Sequence, residues 1–448
     1  MRRHLVPALL ALGLLAAAPA AAHADTTFSV KGAPAPGPAK YDKVFVTRIG
    51  PAGARKVLVL VPGTNGGAGD FTLVGRDIVK RVPGLQVWAM DRREQALEDT
   101  SVFEQALAGT KTPQQALDYY LGWIADPKIQ PHYQPLDKAN FAFMDDWGLK
   151  VQIADLRRVI AAARRGGRTV ILGGHSLGGS VTVAYASWDF DGRPGYKDIA
   201  GMVCIDGGLL GSFDHAGLAR TKQRIAALKT QGPWLDLLGL GLPWATGAFA
   251  ELGGLAALKD PTGPSVGQAF PLLPSEFKPS IPATNRGLLG YALDDSTSPA
   301  ALALIHVRAG HLGANGDWVD GEVSPIERVA RLFAQEPANA VDWYYPTRLN
   351  IDVDAANSAT RNAETTALGL RVFDRRGVNV PLYAFQTSLT HGGVLRGARA
   401  FIRGSRIPRR RSVLVDASAT TSHLDPLTAA PATNAFLKTV VPFLKSIR

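Results

Sequence analysis

Residues Thr169 to Val181 constrain this chain more than any other stretch. A basic turn, Arg164-Arg165-Gly166-Gly167-Arg168, releases the run Thr169-Val170-Ile171-Leu172. β-Branched and aliphatic residues in succession suit a strand covered on both faces. Gly174-His175-Ser176-Leu177-Gly178 follows, and the small, apolar stretch Ser180 to Ser187 can continue as a helix. The pattern predicts strand, sharp turn and helix, with Ser176 at the apex. Glycines two residues either side remove side chains that would collide with the turn and with the helix after it. The same turn aims the backbone N–H of Leu177 at whatever stands before the serine. A glycine-rich turn with an incidental serine is the plainer alternative, but the flanking strand and helix and the extra Gly179 favour a working hydroxyl.

The other end of the chain reads as a targeting segment. Met1-Arg2-Arg3-His4 is basic, Leu5 to Ala18 is apolar, and Ala22-His23-Ala24 is a small-x-small cleavage site before Asp25. The expectation is secretion after removal of residues 1–24, with no stable membrane insertion, because the apolar part is short for a span. Arg2 and Arg3 are its only charged residues, so the formal net charge falls from +11 to +9. Nucleic-acid binding would need a basic stripe interleaved with several aromatics, whereas the arginine-rich segment 396–411 has Phe401 alone; that segment reads as a solvated loop. Cys204 is the single cysteine, so no internal disulfide is available, and its apolar strand suggests a buried, inert thiol.

Taken in order, residues 25–40 form a proline-rich lead-in and Tyr41 to Ile49 a first strand. Val57-Leu58-Val59-Leu60-Val61 is the clearest buried strand, ending in Pro62-Gly63-Thr64-Asn65-Gly66-Gly67. A helix is predicted over 70–82 and a strand over 85–90, the latter closing on Asp91-Arg92-Arg93-Glu94, read as a structural ion-pair network. Residues 99–147 read as mostly helical and polar, and 151–165 as an amphipathic helix. Ile199 to Ile205 is the next strand and stops at Asp206-Gly207-Gly208. From 211 to 371 the sheet pattern gives way to segments rich in Leu, Gly, Pro and Trp. His306 and His311 lie there, but their spacing puts them on different helix faces and no acidic cluster accompanies them, so no metal site is expected. Strands resume over 380–386 and 412–415, and a helix over 434–447 closes the chain.

Strand, G-x-S-x-G and helix together resemble the α/β-hydrolase superfamily of serine esterases, lipases and their relatives. The resemblance implies a mostly parallel sheet flanked by helices, with 25–210 and 372–448 as the core. It also implies that 211–371 is an inserted cap or lid, a rigid accessory subdomain being the alternative. Chain order in the family is serine, acid, histidine, which puts the histidine after the last strand. His423 fits that place; His391, one strand early, is the competitor. Many members carry the acid after the penultimate strand, where this chain has Gln386-Thr387-Ser388; a minority carry it after the strand following the serine, where Asp206 stands. Asp206 is therefore the expected acid, with Asp374 and Asp425 as replacements. The oxyanion donors implied are the N–H of Leu177 and that of Thr64 or Asn65, although the family's usual His-Gly pair is Pro62-Gly63 here.

The resemblance implies two-step acyl transfer without metal or organic cofactor. The expected partner is a small-molecule, lipid or polyester ester, cleaved by a Ser176-His423-Asp206 site. Acyl transfer to another alcohol, and a catalytically inactive ligand-binding homologue, are the alternatives. Epoxide hydrolases and dehalogenases of this fold normally need an aspartate where Ser176 stands.

Overall fold

A computed structural model describes residues 25–213, 217–335, 337, 339–372 and 375–448. The targeting segment read at 1–24 and the alternative acid Asp374 lie outside the described residues.

Eight strands form one sheet: β1 (Thr26–Lys31), β2 (Lys43–Ile49), β3 (Lys56–Val61), β4 (Leu85–Met90), β5 (Thr169–His175), β6 (Gly201–Ile205), β7 (Leu382–Gln386) and β8 (Val413–Asp416). Their spatial order is β1-β2-β4-β3-β5-β6-β7-β8. β2 runs antiparallel to both β1 and β4, and every other pairing is parallel. β1 arises from the proline-rich lead-in, where no strand was expected. It pairs along its whole length with β2, and tertiary pairing supplies what its half-exposed sequence does not advertise.

The central strands are apolar throughout because both faces are covered. Val57, Val59 and Val61 enter one core and Leu58 and Leu60 the other. β5 divides in the same way, with Val170 and Leu172 on one side and Ile171 on the other. The first core is covered by the helix Leu149–Ala163 and by the elbow helix Leu177–Ala186; the second by Thr72–Arg81 and the terminal helix Ala435–Ser446.

Two stretches depart from the sequence reading. Residues 99–147 are less polar than expected: Phe103, Tyr120, Tyr133, Met144 and Trp147 are buried in a third, aromatic core with Trp244, Trp343 and Tyr344. The arginine-rich loop is in part a helix, Gly393–Arg403, with Leu395 and Phe401 buried beneath it. The described part of segment 211–371 folds as helices, turns and one small antiparallel pair, Gly310–Leu312 with Trp318–Asp320. It contributes Tyr345 and Leu349 to the first core, Trp318 and Val329 to the second, and Trp244 and Trp343 to the third.

The charge cluster after β4 is buried and structural. Arg92 donates to the carbonyl oxygens of Pro62 (2.6 Å), Gly63 (2.8 Å) and Gly66 (2.8 Å), and to Asp342 Oδ2 (2.7 Å). Arg93 binds Asp155 and Asp42, and Asp91 accepts from the Ala68 N–H and from Asn339. Burial pushes the Asp91 carboxyl up to about 7, against those donors. Burial and then the charge of Asp342 push Glu94 up as well, and its Oε1 has no hydrogen-bond partner. These acids hold protons in the fold at pH values where the unfolded chain has released them. Stability therefore falls as pH rises from about 4, where a free carboxyl titrates, through about 7. Glu94→Gln keeps the shape and removes one titration. Melting curves at pH 5 and pH 8 should show a smaller drop for the variant, which gains about 1–2 kcal/mol at the higher pH.

Candidate active site

β5, β6 and β7 end side by side, and this alignment gathers the polar groups of the site. Ser176 N–H donates to Ile205 O at 2.8 Å, and Asp206 N–H to Phe385 O at 2.7 Å, continuing the ladder one residue past each strand. Ser176 has φ 54° and ψ −124°, a left-handed backbone that costs a side-chain-bearing residue about 1–3 kcal/mol. It is sustained by close packing of backbone on backbone. A Cβ at Gly178 would stand 1.9 Å from Val61 O, and one at Gly174 would stand 2.3 Å from the Gly178 carbonyl carbon. Both glycines of the motif are needed for closeness rather than for flexibility.

Asp206, fully buried, accepts 2.6 Å from His423 Nδ1. It also accepts from the Thr387 N–H at 2.8 Å and from the Thr387 hydroxyl. Burial alone would raise the Asp206 carboxyl; the hydrogen bond and charge of His423, with the two hydrogen bonds from Thr387, hold it below the ordinary range instead. Thr387 occupies the end of β7, where the sequence resemblance puts the usual place of the acid. Here that position supplies donors to an acid from the strand before.

The His423 loop is held from three sides. Its carbonyl accepts from His175 Nε2 at 2.9 Å, with the two rings 4.3 Å apart. Burial, followed by the neighbouring His423, lowers His175 to about 3, so it is a neutral donor through Nε2. Asp425 turns away from His423: it accepts from the Ser422 N–H (2.7 Å), the Arg308 N–H (2.9 Å) and Ser324 Oγ (2.7 Å), bracing the loop. His391 lines the same cavity as His423, but it is exposed and Asp206 is paired with His423.

Ser176 and His423 face a single cavity of about 730 Å³, a size that takes a drug- or lipid-sized molecule. Ser176 Oγ makes no hydrogen bond among the described residues; such contacts often tighten only around bound substrate. Thr64 and Asn65 also line the cavity, on the loop that Arg92 grips by its carbonyls. With those oxygens drawn back to the guanidinium, the N–H groups of Thr64, Asn65 and Leu177 have no partner among the described residues. Gly63 packs against the serine, where a Cβ would come within 3.0 Å of Ser176 Cβ. The Thr64 hydroxyl reaches Asn350 Oδ1, which Tyr345 OH also binds.

Most of the wall comes from segment 211–371, including Leu237, Leu238, Phe249, Leu288, Ala292, Leu304 and Phe333. Among the polar lining groups, Asp70 is buried, and burial followed by the charge of Asp342 pushes it well above the carboxylate range. Cys204 lies outside this wall; it is buried beneath the elbow helix, its thiol pushed by burial up to about 12. No group of His, Cys, Asp and Glu able to hold a metal ion occurs among the described residues.

Ser176, Asp206, His423 and the loop 62–67, expected from the sequence as site residues, meet at this cavity; Thr387 and His175 are not among those expectations, and Arg92 is expected only in a structural ion-pair network. Thr387 carries no carboxylate to mark its position, and nothing local in the sequence shows that Arg92, besides pairing with Asp342, holds three carbonyls of the loop after β3.

No protein-family model matches the chain, and no curated protein does. Among solved structures it is similar to a candidate lipase from Sulfolobus solfataricus, with 16% identity over 95% of this chain and 94% of that one and a TM-score of 0.49. It is also similar to epoxide hydrolase A from Mycobacterium thermoresistibile (14% identity, 95% and 99% covered, TM-score 0.45). A third is an α/β-hydrolase fold protein from Nakamurella multipartita (12% identity, 94% and 99% covered, TM-score 0.40). Strand order β1-β2-β4-β3-β5-β6-β7-β8 with β2 alone reversed, and a strained serine turning directly from β5 into a helix, give the chain the α/β-hydrolase fold.

Proposed function

We propose that the protein is a serine hydrolase that cleaves carboxylic esters with a large apolar acyl group. The observation that carries this reading is the buried Asp206–His423 pair, bonded at 2.6 Å and opening with Ser176 onto one apolar cavity. Asp206 holds His423 in the tautomer protonated at Nδ1, which leaves Nε2 as the base. Ser176 Oγ loses its proton to Nε2 as it attacks the ester carbonyl. Negative charge on the carbonyl oxygen is met by the N–H of Leu177 and that of Thr64 or Asn65. The alcohol leaves with the proton from His423, and water then cleaves the acyl-enzyme by the same route. Secretion and removal of residues 1–24 belong to the same reading, because an enzyme for bulky hydrophobic esters meets them outside the cell.

A fluorophosphonate probe should label the wild-type protein at Ser176, and Ser176→Ala should lose both labelling and esterase activity. A folded wild-type protein that resists labelling would point to the ligand-binding alternative. Asp206→Asn should keep the fold but lower kcat about a thousand- to ten-thousandfold, because the imidazole loses its tautomer lock. Comparing hydrolysis with alcoholysis of one activated ester separates the hydrolase from an acyltransferase.

The cavity wall gives a test of substrate size. Ala292 lines the cavity and is half-buried, so Ala292→Phe fills space without disturbing the sheet. Each methylene kept out of the cavity forfeits about 0.8 kcal/mol. The variant should lose at least about tenfold in kcat/KM on long acyl chains, two or more methylenes' worth, while acetate and butyrate esters react as before.

A further inference from the structure

Between Val378 and Val415 the chain carries seven arginines and no Asp, Glu or Lys, so this stretch holds seven of the eleven net positive charges. Arg396, Arg399 and Arg403 fall three and four residues apart on the helix Gly393–Arg403 and share its outer face. Arg406, Arg409, Arg410 and Arg411 continue beyond it. All seven are exposed, and none forms an ion pair among the described residues. That sets them apart from Arg92, Arg93, Arg286 and Arg348, which are each paired with an aspartate. Asp416 feels the charge of Arg399 but bonds to Ser418 and Gln386. A buried face of Leu395 and Phe401 fixes the helix to the core, so the cationic face is rigidly presented.

This face begins at the rim of the cavity. Arg396 lines the cavity while remaining exposed, and the partly exposed Leu237, Leu238 and Leu389 line it too. Cations beside partly exposed leucines are the pattern that a lipid–water interface takes up, guanidiniums on headgroup phosphates and leucines toward the acyl region. A soluble polyanion would satisfy the charges and leave the leucines in water.

We propose that the arginine face from Arg396 to Arg411 docks the protein reversibly on an anionic phospholipid surface, with the cavity rim at Arg396 at one end of the contact. Docking needs no turnover, so the Ser176→Ala variant binds as the wild type does and the proposal stands or falls apart from ester cleavage.

The test is sedimentation with vesicles of phosphatidylcholine alone, or of equal parts phosphatidylcholine and phosphatidylglycerol. Wild type and Ser176→Ala should pellet with the mixed vesicles only, and less as salt rises. The triple variant Arg403→Glu, Arg406→Glu, Arg410→Glu should lose about a hundredfold in apparent affinity, with its melting temperature and its rate on a soluble short-chain ester unchanged. Lysine at the same three positions should retain binding. Equal pelleting with phosphatidylcholine alone, or undiminished binding by the glutamate variant, overturns the proposal. Inorganic polyphosphate binding in solution as tightly as the vesicles do would assign the face to soluble polyanions and overturn it equally.

Discussion

A backbone contact with no room for a side chain underlies the whole arrangement. The turn after β5 folds back until Gly178 lies against the carbonyl of Val61 at the end of β3, and a methyl group there would sit 1.9 Å from the oxygen. Close packing of this kind cannot yield gradually. It holds Ser176 in a backbone conformation that it would otherwise leave, and it starts the following helix beneath the cavity. Because β3, β5 and β6 run parallel and end together, the same contact places the serine beside Asp206 and below the loop after β3.

Around that contact the protein spends buried polar groups on direction rather than on attraction. Arg92 collects three carbonyls from one short loop, which leaves the opposite edge of that loop to present N–H groups to the cavity. Thr387 gives Asp206 two hydrogen bonds, so that the carboxylate meets His423 with one fixed geometry. His175 and Asp425 hold the backbone on either side of the imidazole. None of these residues need touch a substrate, yet each limits where a reacting atom can be. The acids buried with Arg92 are the cost of this scheme, since burial keeps several of them protonated in the neutral range.

The apolar half of the cavity has a different origin. Segment 211–371 was read as a cap because its sheet pattern stops and its leucines, glycines and prolines follow no period. It lines most of the cavity and is also woven into all three cores, and the bridge between Gly66 and Val341 ties it to the loop after β3. Segment 99–147 looked polar because its aromatic residues are scattered among charged ones. Folding collects Tyr120, Tyr133 and Trp147 with Trp244 and Trp343 from the cap, more than a hundred residues away in places.

The central strands and the elbow were legible because each depends on residues adjacent in the chain: an apolar run, and glycines two places from a serine. The order serine, acid, histidine is what the resemblance implies; it sets His423, after the last strand, ahead of His391, one strand early, while Asp425 stands too close in the chain to His423 to bond it. What the tertiary structure alone decided is every feature built from distant residues. These are β1, which exists by pairing with β2; the grip of Arg92 on the loop 62–66; the support of Asp206 by Thr387 across 181 residues; and the meeting of an arginine face with the mouth of an apolar cavity. Local pattern fixes which way each segment can bend, whereas partners far apart in sequence leave no periodic trace until the sheet sets them side by side.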